Sequence, residues 1–251
     1  MNFLNNEDWN SLKENCLNNG VLIERIIKSF YKRALKNTDT AFDIGAHVGY
    51  HTIGLVERLT DGIVIACEGN PKTYLELLKN LSKIRSSTPI LTVNAAIQDD
   101  LDKKEATFNV SAEHPGRSGL VRMWKSVTYD KVTVTARTLD EIYTSLGLQK
   151  LDFIKCDVEG TEWEVLVGAK NAISKHRPII VLEHGDRESE NFSANWLSFF
   201  EKNHLIPYFP NGERVSQSNF NDFWYVFIFP KERSKQLLRQ LESAVLSWES
   251  L

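Results

Sequence analysis

The chain has 251 residues, of which 42% are hydrophobic and 25% charged, and its formal net charge is −3. That length can bury a full core in one domain with a helical addition, and the charge balance gives no reason to expect nucleic acid as a partner. No run approaches the roughly 20 apolar residues of a membrane span, and the start MNFLNNEDWN lacks the basic and apolar regions of a signal peptide, so the cytoplasm is the expected compartment.

Residues 7–36 carry Leu17, Val21, Leu22, Ile26, Ile27 and Phe30 at helical spacing, which predicts one or two helices. They are expected to cover an edge or face of a sheet, with a subunit contact as the alternative. From Thr40 the rhythm is strand, helix, strand. A first strand ends in Phe42, Asp43 and Ile44; residues 48–59 form a helix; Ile63–Cys67 is a second strand and delivers Glu68. Pro71 opens a helix over 71–84, at a position proline tolerates. Ile90–Val93 makes a third strand that runs out at Asn94–Ile97. Such alternation implies a mostly parallel sheet with helices on both faces.

Residues 102–137 break the rhythm with two short β segments, 106–110 and 131–136, around the turn-rich tip Glu113–Gly119. An insertion of this length on a rigid scaffold is expected to carry binding groups, so it is read as a substrate lid. The parallel pattern then resumes. Thr138–Ile142 starts a helix, 151–156 is the fourth core strand, 161–175 a helix and 178–183 the fifth strand, followed by a helix over 192–203. Leu205–Phe209 and Phe223–Phe229 resemble an antiparallel pair, and an amphipathic helix over 231–248 closes the chain. Cys67 and Cys156 fall inside strand-like runs and Cys16 is isolated, so the three cysteines read as reduced core residues.

Ligands of doubly wound sheets bind beyond the carboxyl ends of the strands. Acids or acid-plus-imidazole pairs stand at four such ends: Asp43, Glu68, Asp157 with Glu159, and Glu183 with His184. Gly45 and Gly49 are expected to let the backbone approach a ligand that a β-carbon would strike. Glu68 at the end of the second strand is placed to accept hydrogen bonds from ribose hydroxyls. His47 stands where a dinucleotide loop has its middle glycine, which argues against pyrophosphate and for S-adenosylmethionine. Asp157, Glu159 and Glu183 have the oxygen chemistry magnesium prefers. Nothing in the sequence fixes their mutual geometry, so a divalent cation is not favoured and no metal ligand is assigned.

The blocks FDIGAHVGYHTIGL (42–55), EGNPKTYLELLKNL (68–81), NAAI (94–97), TLDEI (138–142) and DFIKCDVEGTEWEVLVGA (152–169) resemble the FkbM family of S-adenosylmethionine-dependent methyltransferases. They span roughly half of the chain, and the last block is the most specific. His47 replaces a common asparagine and Gly69 a frequent proline.

The resemblance implies an α/β, Rossmann-like class I methyltransferase fold with a mostly parallel seven-stranded sheet. Together with the residue pattern it gives one methyltransferase domain over 1–251: a helical cover (1–37), a core (38–101 and 138–230), a β-rich insertion between the third and fourth core strands (102–137) and a C-terminal helix (231–251). The implied activity is O-methylation of a hydroxyl on a sugar, glycan or natural-product scaffold. By position, Asp43, Gly45, Ala46, His47 and Gly49 form the methionine-side loop. Glu68 holds the ribose, with Gly69 and Asn70 beside the adenosine. Asn94 and Ala95 meet the adenine, and Asp157 faces the methyl group.

Asp157, Glu159 and His184 are the candidate bases, and His114, Arg117, Ser118 and Glu159 the candidate acceptor contacts. Arg117 and Arg122 on the insertion have the chemistry to hold a carboxylate or phosphate, with surface solvation the commoner use. Trp124, Tyr129, Trp163 and Tyr208 have rings able to stack on a sugar, with packing the commoner use. Competing readings are an amine, lipid or protein acceptor, a non-catalytic cofactor-binding module, and a nicotinamide oxidoreductase. A homo-oligomer is compatible with all of them.

Overall fold

The structure is a computed structural model that describes residues 3–18, 20–111, 113–121, 127–184 and 190–247. Arg122 and Trp124 lie outside the described residues. Helices α1 (Asn6–Asn18) and α2 (Val21–Ala34) precede β1 (Thr40–Ile44), α3 (Tyr50–Arg58), β2 (Ile63–Glu68), α4 (Pro71–Leu81) and β3 (Ile90–Asn94). After the short β4 (Ala96–Ile97) come β5 (Glu105–Val110), β6 (Asp130–Arg137), α5 (Leu139–Ser145) and β7 (Phe153–Cys156). The chain continues through α6 (Glu162–Gly168), α7 (Lys170–His176), β8 (Ile179–Glu183), α8 (Glu190–Lys202), β9 (Leu205–Tyr208), β10 (Tyr225–Pro230) and α9 (Ser234–Leu246).

Seven strands form one sheet in the order β3-β2-β1-β7-β8-β10-β9. Only β10 runs against its neighbours, pairing antiparallel with both β8 and β9. This is the mostly parallel, Rossmann-like sheet that the sequence predicts. Every residue of β1 and β7 is buried, which requires cover on both faces. On one face α2 inserts Phe30 against Phe227 and Phe229, with ring centroids 5.2 and 5.5 Å apart, and Tyr31 against Phe153 at 5.8 Å. Burying each such ring contributes about 1.5–3 kcal/mol. The helical cover therefore belongs to the main core, although Leu17 and Val21, which fit its apolar pattern, are exposed.

Strand order reverses between β1 and β7, and Asp43 lies beside Lys155 in that register. This is where a crevice opens in doubly wound sheets. Two boundaries differ from expectation. The side chain of Asn94 donates to the Glu68 carbonyl at 2.8 Å, closing the third strand; Ala96 and Ile97 pair instead with β6. The helix expected over 161–175 divides at Ala169, where Gly168 passes so close to Gln98 that a β-carbon would lie 2.1 Å from its carbonyl oxygen.

β4, β6 and β5 form a second, three-stranded sheet with a small core of its own that includes Phe108, Val110 and Val134. The three cysteines are buried and free. Among the described residues no helix is long and apolar enough to cross a membrane.

Candidate functional site

A cavity of about 420 Å³ opens at the carboxyl ends of β1, β2 and β7. Its floor is the loop after β1. Gly45 and Ala46 donate their N–H groups to the Cys67 carbonyl at 3.0 and 2.9 Å, which pins the loop to β2. Gly45 has φ +78°, and a β-carbon there would lie 1.7 Å from the Asp157 carbonyl oxygen. At Gly49, with φ +98°, a β-carbon would meet the Leu77 side chain at 2.9 Å. This corrects the sequence expectation: the spaces these glycines leave are filled by the protein's own backbone and core. His47 also adopts a left-handed conformation, φ +48°. Such strain persists only where surroundings hold it, and here the His47 N–H donates to Glu68 Oε2 at 2.9 Å.

Glu68 receives a second backbone donor, the Asn70 N–H, on Oε1 at 2.7 Å. Burial pushes its pKa up, opposed by those two amide bonds. Asn70 also caps α4, accepting from the Lys72 N–H at 3.1 Å, ahead of Pro71. Beside it the ring of Phe108, from the insertion, fills the space a Gly69 side chain would need, 2.6 Å from an added β-carbon.

The opposite wall is the turn after β7. Glu162 Oε1 accepts the N–H groups of Val158 and Gly160 at 3.1 and 3.0 Å, and Glu159 and Gly160 take φ +58° and +104°. Burial lifts the Glu162 pKa to about 7 against those amide bonds. Asp157 Oδ2 accepts from Lys155 Nζ at 3.1 Å and from the Tyr225 hydroxyl at 2.8 Å. Burial disfavours its charge, but the Lys155 ammonium and the bonds from Glu183, Tyr225 and Lys155 hold the pKa below the usual range. Burial and then the Asp157 charge push the Glu183 pKa well up, so Glu183 carries the proton of that pair. Asp157, Glu159 and Glu183 each place an oxygen within 4.8 Å of the others.

Of the residues singled out from sequence, Asp43, Gly45, Ala46, His47, Glu68 and Gly69 line the cavity, as do Ala95, Ser118, Asp157 and Glu159. Gly49, Asn70 and Asn94 stand behind that wall in the structural roles given above. His114 is exposed and Arg117 half-buried, both outside the lining, whereas their neighbours Gly116 and Ser118 reach it. His184 is packed against Trp196 and Phe220, with ring centroids 6.1 and 4.7 Å away, and is not part of the lining.

Four participants escaped sequence reasoning. Phe108 closes the Glu68 side. Glu24, from α2, pairs its Oε2 with His51 Nε2 and accepts from the Tyr225 hydroxyl on Oε1 at 3.1 Å. The available signal for Glu24 was an acid set among Ile23, Ile26 and Ile27 on an otherwise apolar helix flank. Tyr225 had none, because only strand pairing sets it opposite Glu183.

Residues 43–212 match a family model described as the methyltransferase FkbM domain. The chain is 26% identical over 147 residues to the hexuronic acid methyltransferase AglP of Haloferax volcanii, covering 58% of this chain and 56% of that protein. It is 33% identical over 90 residues to the 2-O-methyltransferase NoeI of Sinorhizobium fredii, covering 36% of each. It thus spans about half of the first relative and about a third of the second. A crystal structure of an FkbM methyltransferase from Methylobacillus flagellatus superposes with a TM-score of 0.50 at 18% identity, covering 78% of this chain and 44% of that one. At that identity the likeness speaks for the fold.

Proposed function

This chain belongs to the FkbM methyltransferase family, and from that premise we propose that it uses S-adenosylmethionine to methylate a hydroxyl oxygen of a sugar, glycan or natural-product scaffold. The observation that carries the reading is one cavity with Glu68 fixed by two backbone amides on one side and the Asp157–Glu159 turn on the other. Each Glu68 oxygen uses one lone-pair direction for an amide and keeps another for a ribose hydroxyl. Phe108 and Ala95 form an apolar wall suited to the adenine. The buried Asp43 Oδ1 has no hydrogen-bond partner among the described residues, which fits a cationic group arriving with the ligand.

The cofactor supplies a methyl group on a sulfonium, open to in-line attack. The chain's task is to align the acceptor oxygen and take its proton, and alignment alone supplies much of the rate. Asp157 is held ionised between Lys155 and Tyr225, and Glu159 lies in the adjoining turn. Both are proposed to receive or orient the hydroxyl proton. His184, packed away from the cavity, is left out of the proposal. Ser118 borders the acceptor side, and His114 and Arg117 on the same tip are proposed to meet the larger acceptor outside the cavity.

The test is turnover with methyl-labelled S-adenosylmethionine against a panel of pyranosides, nucleotide sugars and hydroxylated scaffolds, with the labelled atom located by NMR. Label on oxygen is the expected outcome. Label on nitrogen moves the acceptor to the amine class, and no label on any hydroxylated compound sinks the reading.

A further inference from the structure

Where α2 meets the start of α3, the cavity wall combines an acid with exposed apolar surface. Tyr50 is 43% exposed and Val21 51%, and both line the cavity. Tyr129, Trp163 and Tyr208, the described rings singled out from sequence, do not. The Tyr50 ring is held from two sides: the His51 ring meets it at 82° with centroids 5.1 Å apart, and Lys28 Nζ stands 5.2 Å from its centre. Buried His51 also bonds Glu24 Oε2 through Nε2, so one imidazole sets the ring and the carboxylate side by side.

Glu24 has accepting capacity to spare. Each of its oxygens has one partner, Tyr225 on Oε1 and His51 on Oε2, which leaves a lone-pair direction on each. Asp157 Oδ2, by contrast, already accepts from both Lys155 and Tyr225. Burial disfavours the Glu24 charge, but the His51 bond and the Lys155 ammonium keep its pKa below the usual carboxylate range. The charge around it is one-sided. Glu24, Asp43, Glu68, Asp157 and Glu159 line the cavity, and Lys155 is the one Lys or Arg among the described lining residues. Lys28 lies outside the lining, with its charge met by Glu57 at 3.7 Å, and Arg25 lies outside it too.

An aromatic face beside an accepting carboxylate matches a pyranose, which has a flat C–H face and hydroxyl donors at its edge. A surplus of carboxylates rejects an acceptor that brings another. We propose that Tyr50, Val21 and Glu24 form the acceptor site, and that it takes an uncharged pyranose in preference to a uronic acid. The sugar ring lies on Tyr50 and Val21, and one of its hydroxyls donates to Glu24. The assignment rests on the O-methyl transfer reading above and names its substrate class. Val21 and Glu24 precede residues 43–212, so acceptor recognition draws on a helix outside the family match.

The test measures methyl transfer from S-adenosylmethionine to matched methyl hexopyranosides and methyl hexopyranosiduronates of gluco, galacto and manno configuration. The wild-type chain is expected to show a kcat/KM at least about tenfold higher for the neutral member of a pair. Glu24→Gln keeps the shape of the side chain and removes its charge, and is expected to shrink that ratio by about tenfold. Tyr50→Ala is expected to raise KM for the neutral sugar by about tenfold and to leave S-adenosylhomocysteine affinity, read by calorimetry, unchanged. Because Tyr50 is exposed, that variant keeps the site testable if Glu24→Gln does not fold. Uronates used as well as their neutral partners, an unchanged ratio in Glu24→Gln, or equal losses for sugar and S-adenosylhomocysteine in Tyr50→Ala overturns the assignment. Label only on nucleotide sugars, or only on a hydroxylated scaffold without a sugar, overturns it too and leaves O-methyl transfer standing. No label on any hydroxylated compound overturns both.

Discussion

The Tyr225 hydroxyl lies 2.8 Å from Asp157 Oδ2 and 3.1 Å from Glu24 Oε1, so a single phenolic proton stands between two carboxylates. One comes from the turn after β7 and the other from α2. Tyr225→Phe is expected to leave two like charges facing each other and to cost about 1–3 kcal/mol, read by urea unfolding. The Asp157 pKa is depressed in the folded chain, so its ionised form stabilises above the unfolded value and that contribution is lost as pH falls through the folded one. Removing the Tyr225 bond raises the folded value, and acid unfolding should therefore begin at a higher pH in the variant.

Glu162 gives the opposite pH signature. Its folded pKa of about 7 stands above the ordinary carboxylate value of 4.5, so across that window the folded chain holds a proton the unfolded chain has lost. Stability should fall as pH rises from 4.5 to about 7, by an amount on the order of 3 kcal/mol. Glu162→Gln keeps a carbonyl oxygen for the Val158 and Gly160 amides and removes the titration. The variant should match the wild-type chain at acid pH and exceed it in alkaline buffer; parallel denaturation curves at both would refute this.

Glu68→Gln tests the two-amide clamp. A carboxamide has one accepting oxygen, so either the His47 or the Asn70 N–H loses its partner. A melting point lower by roughly 2–4 °C per kcal/mol lost is expected, together with at least about a tenfold fall in S-adenosylhomocysteine affinity. Unchanged affinity would remove Glu68 from the cofactor site.

Gly45→Ala should destabilise by more than about 3 kcal/mol, because it adds backbone strain to a collision. Gly116→Ala is the control: that cavity-lining glycine has nothing within 4 Å of an added β-carbon. Similar melting points for the two variants would show that the loop after β1 yields easily.

Much of this was legible in the sequence. Asp43, Glu68 and Asp157 end apolar runs, and in a parallel sheet a run's end is a position at the rim. The mostly parallel sheet followed from alternation, and its seven strands from the resemblance that the family blocks carry. What the sequence withheld depends on distance along the chain. Tyr225 and Glu24 are 201 residues apart and meet only through strand pairing and the seating of α2. Gly45 was read correctly as a place without room and wrongly as room for a ligand, since sequence does not show which neighbour fills the space. His184 follows an acid at a strand end, yet the aromatic rings of Trp196 and Phe220 enclose it.

The contact between Gly45 and the Asp157 carbonyl makes the two loops a single moving part. A grafted loop after β1 must arrive with a matching turn after β7, since a side chain at the first glycine displaces the second loop's backbone. Engineers seeking a new acceptor have more freedom at Gly116, where nothing lies within 4 Å of an added β-carbon, than at Gly119, where one would lie 3.1 and 3.2 Å from the Val158 and Glu159 carbonyl oxygens of that second loop.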